Sequence, residues 1–319
     1  MTENVTASPK GFKLFMMTVR AYAFPASVIP ILYGSILAVV LNPGIKFDYL
    51  NFFITMIGAM AIHVTTNLVN DIYDFKKGID KEDKETGIPH GGSLVISKGF
   101  VDIKKVKFFS IISTTVALIT GTYLYFVAGP WIIYLSIFGL FSAIYYTASP
   151  IALKYKALGD IQVFISFGTG MTLGAYIVQT HEFSWIPVIV SIPLGFLIDA
   201  ILHSNNIRDI KFDKTFGVKT LPILIGEKLS KYVYYFLILG AYASIIIFVI
   251  FKLLPWPALL NLVTLPTALK LIRMLKVIPQ ETMERFEFGS KHNMMTAQFN
   301  MQFGLTLTIG LLISIFFLH

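Results

Sequence analysis

Two stretches of this sequence place carboxylates and carboxamides at helical spacing. The first runs His63-Val-Thr-Thr-Asn67-Leu-Val-Asn70-Asp71-Ile-Tyr-Asp74 and continues through Lys76-Lys77-Gly78 to Asp80. Steps of three and four put His63, Asn67, Asn70 or Asp71, and Asp74 on one helical face. The second runs Asp199-Ala-Ile-Leu-His203-Ser-Asn205-Asn206-Ile-Arg208-Asp209, with Asp213-Lys214 a turn later. Asp199 and His203 are four apart, as are Asp209 and Asp213. Paired carboxylates and amides in a chain without Cys suit a hard cation. Mg²⁺ in particular takes a few carboxylates and completes its shell with water and phosphate oxygens. Lys77, Lys84, Lys154, Arg208 and Lys214 would offset the remaining charge of a phosphate ligand. The expectation is a diphosphate held through metal ions between two acidic clusters. The plain alternative is aspartates that merely cap helix ends in solvated loops, which two clusters of matching spacing disfavour.

These clusters sit in a chain built for lipid. Of 319 residues, 55% are hydrophobic and 14% charged, against about 25% charged in soluble domains, and mean hydropathy is +0.71. Apolar runs of about 18 to 20 residues are long enough to cross a ~30 Å hydrocarbon core. They are continuous rather than alternating, which excludes an outer-membrane barrel and leaves helices. Nine spans are expected, beginning near Ala21, Phe52, Phe108, Pro130, Ile161, Trp185, Val233, Pro257 and Phe299. The eighth is the weakest, because Pro266 interrupts it.

Basic residues test that count independently. With a cytoplasmic N-terminus, 24 of the 26 Lys and Arg fall on inside segments, Lys46 and Lys252 excepted, as the positive-inside rule demands. The net charge of +8 therefore reflects topology, not nucleic-acid binding. Residues 1–20 lack the pattern of a removable signal; Lys10 to Met17 reads as an amphipathic lead-in at the lipid interface, and 21–319 as one nine-helix domain. Both long polar loops, Tyr73 to Lys107 and Asn205 to Lys231, lie on the cytoplasmic side with the acidic clusters, which places function there. A polar residue within a span is costly and usually marks a cavity or a site. Gly170 and Gly174 are expected to pack helices, and Trp131, Trp185 and Trp256 to anchor the outer interface.

The sequence resembles the UbiA superfamily of intramembrane prenyltransferases, whose motifs have the forms N-D-x-x-D-x-x-x-D and D-x-x-x-D. The matching residues are Asn70-Asp71-Ile-Tyr-Asp74 and Asp209-Ile-Lys-Phe-Asp213. Gly78 takes the third acidic position of the first motif, with Asp80 two residues on. Arg20 to Pro30 with Gly34, Gly91-Gly92-Ser93 with Lys98-Gly99, and Asn205 to Asp209 running on to Lys219-Thr220-Leu221 are similar to the branch acting on 1,4-dihydroxy-2-naphthoate in menaquinone synthesis.

The resemblance implies an all-α membrane protein of nine helices in the cell inner membrane, its active site facing the cytoplasm. It implies Mg²⁺ held by Asn67, Asp71, Asp74, Asp209 and Asp213, with Asn67, Asn70, Lys77, Lys84, Lys154 and Arg208 around the diphosphate of a polyprenyl donor. The allylic cation formed as that diphosphate leaves needs aromatic faces, with Tyr73, Tyr145, Tyr146 and Phe164 as candidates. The aromatic acceptor is 1,4-dihydroxy-2-naphthoate, activated by deprotonation of a ring hydroxyl. Candidate partners for it are His63, Asp199, His203 and Tyr146, while Arg20 either meets its carboxylate or snorkels to the interface. The competing readings keep the chemistry on another acceptor, such as 4-hydroxybenzoate or geranylgeranylglyceryl phosphate, or make the protein a cation-coupled transporter. A transporter would place its charges near the midplane in broken helices, whereas these acids gather at one surface.

Overall fold

The computed structural model describes residues 9–82, 89–90 and 92–318. Lys84 and Gly91 lie outside the described residues. A short helix α1 (Gly11–Thr18) and a single tight turn over Ala21–Ala23 lead into α2 (Pro25–Leu41). There follow α3 (Tyr49–Lys77), α4 (Ile103–Ala128), α5 (Trp131–Tyr145), α6 (Gly159–Thr180), α7 (Trp185–Thr215), α8 (Leu221–Ile250) and α9 (Trp256–Lys276). The last helix is α10 (Thr282–Leu318). Between α3 and α4, β1 (Lys81–Glu82) pairs antiparallel with β2 (Pro89–His90).

Among the described residues, eight helices are long and apolar enough to cross a membrane, and α5 is a shorter apolar helix. The protein is a multi-pass membrane protein. The expected spans appear in order, but several helices outrun their apolar runs. Helix α10 starts at Thr282 rather than near Phe299, because its first turns carry polar residues that hydropathy does not register. Helix α8 starts at Leu221, with Gly226 at φ 80° breaking its first turns from the rest. Pro266 does not break α9. It sits in the first turn of the α-helical part, after a tighter 3₁₀ stretch from Trp256 to Thr264, where a missing N–H costs nothing.

Helix ends follow their local chemistry. Asp48 caps α3 by accepting from the Asn51 N–H at 3.0 Å, and Asp102 caps α4 from the Lys104 N–H at 2.6 Å. Gly78 ends α3 in the left-handed conformation at φ 71°, where the Ile79 N–H reaches the Asp74 carbonyl at 2.9 Å. That backbone role explains a glycine at the third acidic position.

Helix α3 packs on α4, α7 on α8, and α10 on α2, α7 and α9, while α2 closes against α6. Helix α4 turns Phe108, Ile111, Ile119 and Phe126 outward, a surface suited to lipid and not to water. Trp131, Trp185 and Trp256 are exposed at the starts of α5, α7 and α9, at the end opposite the acidic clusters. Close helix contact is made elsewhere than at Gly170 and Gly174, which border an apolar cavity. It occurs where Gly168 meets the Gly195 backbone and Gly34 meets the Thr172 carbonyl, since no side chain fits between those pairs. Gly168→Ala should lower the thermal midpoint in detergent through overpacking of about 1–3 kcal/mol; an unchanged midpoint would remove this contact from the packing.

Candidate active site

The predicted polar face of α3 turns inward as a unit: His63, Asn67, Asn70, Asp71 and Asp74 are all buried, Asp74 completely at 0% exposure. A carboxylate removed from water must be paired, and each acid of the first motif has its own cation. Arg20 reaches it from the turn before α2, adopting the left-handed conformation at φ 55°. Its Nη2 pairs with Asp71 and donates to Asn70 Oδ1 at 3.0 Å, so Arg20 points inward rather than snorkelling. Lys154, between α5 and α6, donates to Asp74 Oδ2 at 2.6 Å. Asn70 Nδ2 donates to the same oxygen at 2.8 Å, and the Tyr155 hydroxyl to Asp74 Oδ1. Burial alone would weaken the Lys154 ammonium, but the field of Asp74 outweighs it and raises its pKa.

The loop before α4 closes on the same acids. The Ser93 N–H donates to Asp71 Oδ1 at 3.2 Å and its hydroxyl to Oδ2. The Gly92 N–H donates to Asp80 Oδ1 at 2.7 Å. Asp80 is buried at 2% exposure; burial first, then Asp74, pushes its carboxyl up to about 7. Asp80 thus returns beside the first motif from beyond the cap that Gly78 makes.

The second motif lies on α7. Arg208 holds Asp209 through two bonds, Nε to Oδ1 and Nη2 to Oδ2, both 2.7 Å. Its stem lies against Gly289 of α10 and its guanidinium over Phe286 at 5.1 Å. Arg285 holds the helix from behind, donating to the Ile207 carbonyl at 2.8 Å and pairing with Glu227 at 3.0 Å. Lys154 lies close enough to Asp213 as well as Asp74 to feel both, which brings the second motif near the first.

Beside the motifs opens a cavity of about 250 Å³ whose lining includes Arg20, His63, Asn67, Asn70, Tyr146 and Lys154; Asp71, Asp74, Asp209 and Asp213 are not in that lining, Asp71 and Asp74 meeting it through Arg20, Asn70 and Lys154. The other expected residues are distributed around or away from it. Lys77 stacks over the Tyr155 ring at 3.4 Å. Asp199 and His203 turn from the cavity. His203 Nδ1 meets Asp160 Oδ1 at 2.7 Å and its Nε2 donates to the Ser230 carbonyl at 3.0 Å, while Asp199 lies beside Asp160 with its Oδ1 unpartnered. Of the expected aromatics, Tyr146 borders the cavity, joined by Phe167. Tyr73 packs against the apolar cluster that contains Leu68, Ile72 and Val95 instead, Phe164 against Phe196, and Tyr145 against Phe141. Phe167 sits in a π-helical stretch, Phe164–Gly170, a distortion frequent at functional sites.

Residues missed by spacing include Tyr22, Ser93, Tyr155 and Asn293. Ser93 and Tyr22 lie in stretches that signalled the family, and Tyr155 adjoins Lys154, but nothing marked Asn293, which reaches the wall from α10.

Among the described residues, no three acids or histidines gather closely enough to hold a metal ion by themselves. The motif donors are carboxylate oxygens that would exchange their partners Arg20, Ser93, Lys154, Asn70, Tyr155 and Arg208 for an ion. That fits Mg²⁺, which is usually held by one or two carboxylates plus substrate phosphates.

Residues 27–294 match the UbiA prenyltransferase family. The chain belongs to that family. It is 32% identical over 305 residues to UbiA prenyltransferase domain-containing protein 1 of Danio rerio, covering 94% of this chain and 84% of the relative. It is also 32% identical over 328 residues to the 1,4-dihydroxy-2-naphthoate octaprenyltransferase of Bacillus subtilis (strain 168), covering 98% and 97%. The fold matches a UbiA homolog from Archaeoglobus fulgidus bound to GPP and Mg²⁺, with a TM-score of 0.57 at 14% identity, covering 92% and 99%. As a UbiA family member the protein is a prenyltransferase.

The glycine of the loop tests the geometry around this UbiA-type site. A Cβ on Gly92 would collide with Arg20 Nη2 and Asp71 Oδ1. Gly92→Ala should cut turnover by about 100-fold, the scale of an ångström-level misplacement, with little change in thermal midpoint. Wild-type turnover would separate the loop from the site.

Proposed function

We propose that the protein transfers a polyprenyl group from an allylic polyprenyl diphosphate to 1,4-dihydroxy-2-naphthoate, with decarboxylation, in menaquinone biosynthesis. The reaction is placed at the cytoplasmic face of the cell inner membrane, where the basic residues predict the acidic end to lie. One observation carries the reading: the cationic cavity and an apolar cavity share Thr66, Gln162 and Phe167 in their walls. A ligand with an anionic head and a long hydrocarbon tail fits that pair of spaces.

Asp71 and Asp74 with Asn67 on one side, and Asp209 and Asp213 on the other, are the residues to hold Mg²⁺. When bound there, the ion would supply positive charge to offset the negative charge of the departing diphosphate. Arg20 and Lys154 add fixed positive charge at the cavity wall, strengthened by burial. Tyr146 and Phe167 offer ring faces to the allylic cation and keep water from its carbon. The tail lies along small residues such as Gly58, Gly121, Gly139 and Gly174, each buried CH₂ contributing about 0.8 kcal/mol.

The choice of naphthoate rests on the Bacillus relative, which aligns along almost its whole length, and on the sequence stretches of that branch. Purified protein with Mg²⁺ and geranylgeranyl diphosphate should convert 1,4-dihydroxy-2-naphthoate to a prenylated, decarboxylated product detected by mass spectrometry. Prenylation of 4-hydroxybenzoate or geranylgeranylglyceryl phosphate alone would overturn the acceptor and keep the chemistry.

A further inference from the structure

Four groups were eligible to take a proton from the acceptor, and the structure separates them. His203 is engaged behind the wall with Asp160 and the Ser230 carbonyl, and Asp199, beside Asp160, is not in the cavity lining. Tyr146 shares the cavity with the Lys154 ammonium, and a phenol is a weak base. His63 differs from all three. It projects from the middle of α3 into the cavity wall, beside Phe167, whose ring stands edge-on at 4.9 Å, and Phe24 at 5.8 Å. Its Nδ1 lies 2.6 Å from Ser27 Oγ of α2, and both residues are buried. Among the described residues no hydrogen bond engages its Nε2.

We propose that His63 is the catalytic base for the acceptor's ring hydroxyl and that Ser27 is its positioning residue. The proposal rests on the prenyl-transfer reading above. When Ser27 Oγ accepts the Nδ1–H, the neutral imidazole is fixed in the tautomer that leaves an Nε2 lone pair toward the cavity. Arg20, close enough to act electrostatically on His63, is placed to hold a carboxylate next to that hydroxyl on the same ring.

The step balances without a further reagent. Nε2 takes the hydroxyl proton and the O–H pair moves into the ring. The adjacent ring carbon, which bears the carboxylate, forms the bond to prenyl C1, and the C1–O pair departs on pyrophosphate. The C–CO₂ pair then returns to the ring, carbon dioxide leaves, and the ring oxygen recovers the proton from His63. The base ends each turnover as it began.

Charged or titratable groups sharing the cavity are Arg20, Tyr22, Tyr146 and Lys154; helices α6, α7 and α10 present only uncharged side chains to it. An acid limb in the pH profile of kcat/KM is assigned to His63, and its loss in the variant separates it from the carboxyl of Asp80. His63→Gln keeps polarity and loses basicity, so kcat should fall about 10²- to 10⁴-fold with donor KM little changed and the acid limb abolished. His63→Ala should regain activity with added imidazole, and Ser27→Ala should show a smaller loss with a displaced acid limb.

Wild-type kcat in His63→Gln, or loss of activity with an unaltered acid limb and no imidazole rescue, would overturn the proposal. Should the His63 variants fail to fold, the Ser27→Ala profile decides, an unmoved limb counting against it. A wild type that prenylates no hydroxylated ring overturns this and the naphthoate reading together, whereas an active wild type with His63 dispensable removes the base alone.

Discussion

The structure depends on keeping carboxylates ionised at the end of a hydrophobic bundle. Removing each from water costs several kcal/mol unless opposite charge and hydrogen bonds replace the lost hydration. Asp71 and Asp74 are both buried, and everything around them answers that cost: Arg20 and Ser93 on one, Lys154, Asn70 and Tyr155 on the other. These partners come from the lead into α2, the loop before α4 and the connection from α5 to α6. One electrostatic requirement thus ties together elements distant in sequence. It also leaves fixed positive charge facing a cavity, which is what an anionic leaving group needs.

The second motif is supported differently. Asp209 is held by its own neighbour Arg208, and Arg208 is held by Phe286, Gly289 and Ser290 of α10. The polar turns by which α10 outruns its apolar run are the surface against which this half of the site is built. Lys154, paired with Asp74 and close to Asp213, stands between the halves.

Much of this was legible in the sequence because it is periodic. Steps of three and four fixed the inward face of α3, and apolar runs with basic flanks fixed the number and order of helices. What periodicity could not supply was direction beyond a single helix. On α7, Asp199 and His203 share a face, but only the packing of α6 and α8 shows that this face meets Asp160 and Ser230 rather than the cavity. Gly170 and Gly174 have the spacing of a helix contact yet border the apolar cavity, while Gly168 and Gly34 make the close approaches. Arg20 read equally well as an interface residue until its left-handed turn was seen to aim it at Asp71. Asn293 could not have been chosen, since its part in the wall depends on α10 returning to the bundle centre.

The most direct test of two facing acidic motifs is the Mg²⁺ dependence of turnover in Asp71→Ala and Asp209→Ala, measured beside the wild type on protein confirmed as folded. Facing motifs that share one metal-bound diphosphate predict that either substitution abolishes turnover and that chelation silences the wild type. Near-normal activity in either variant, or wild-type turnover surviving thorough chelation, would contradict it.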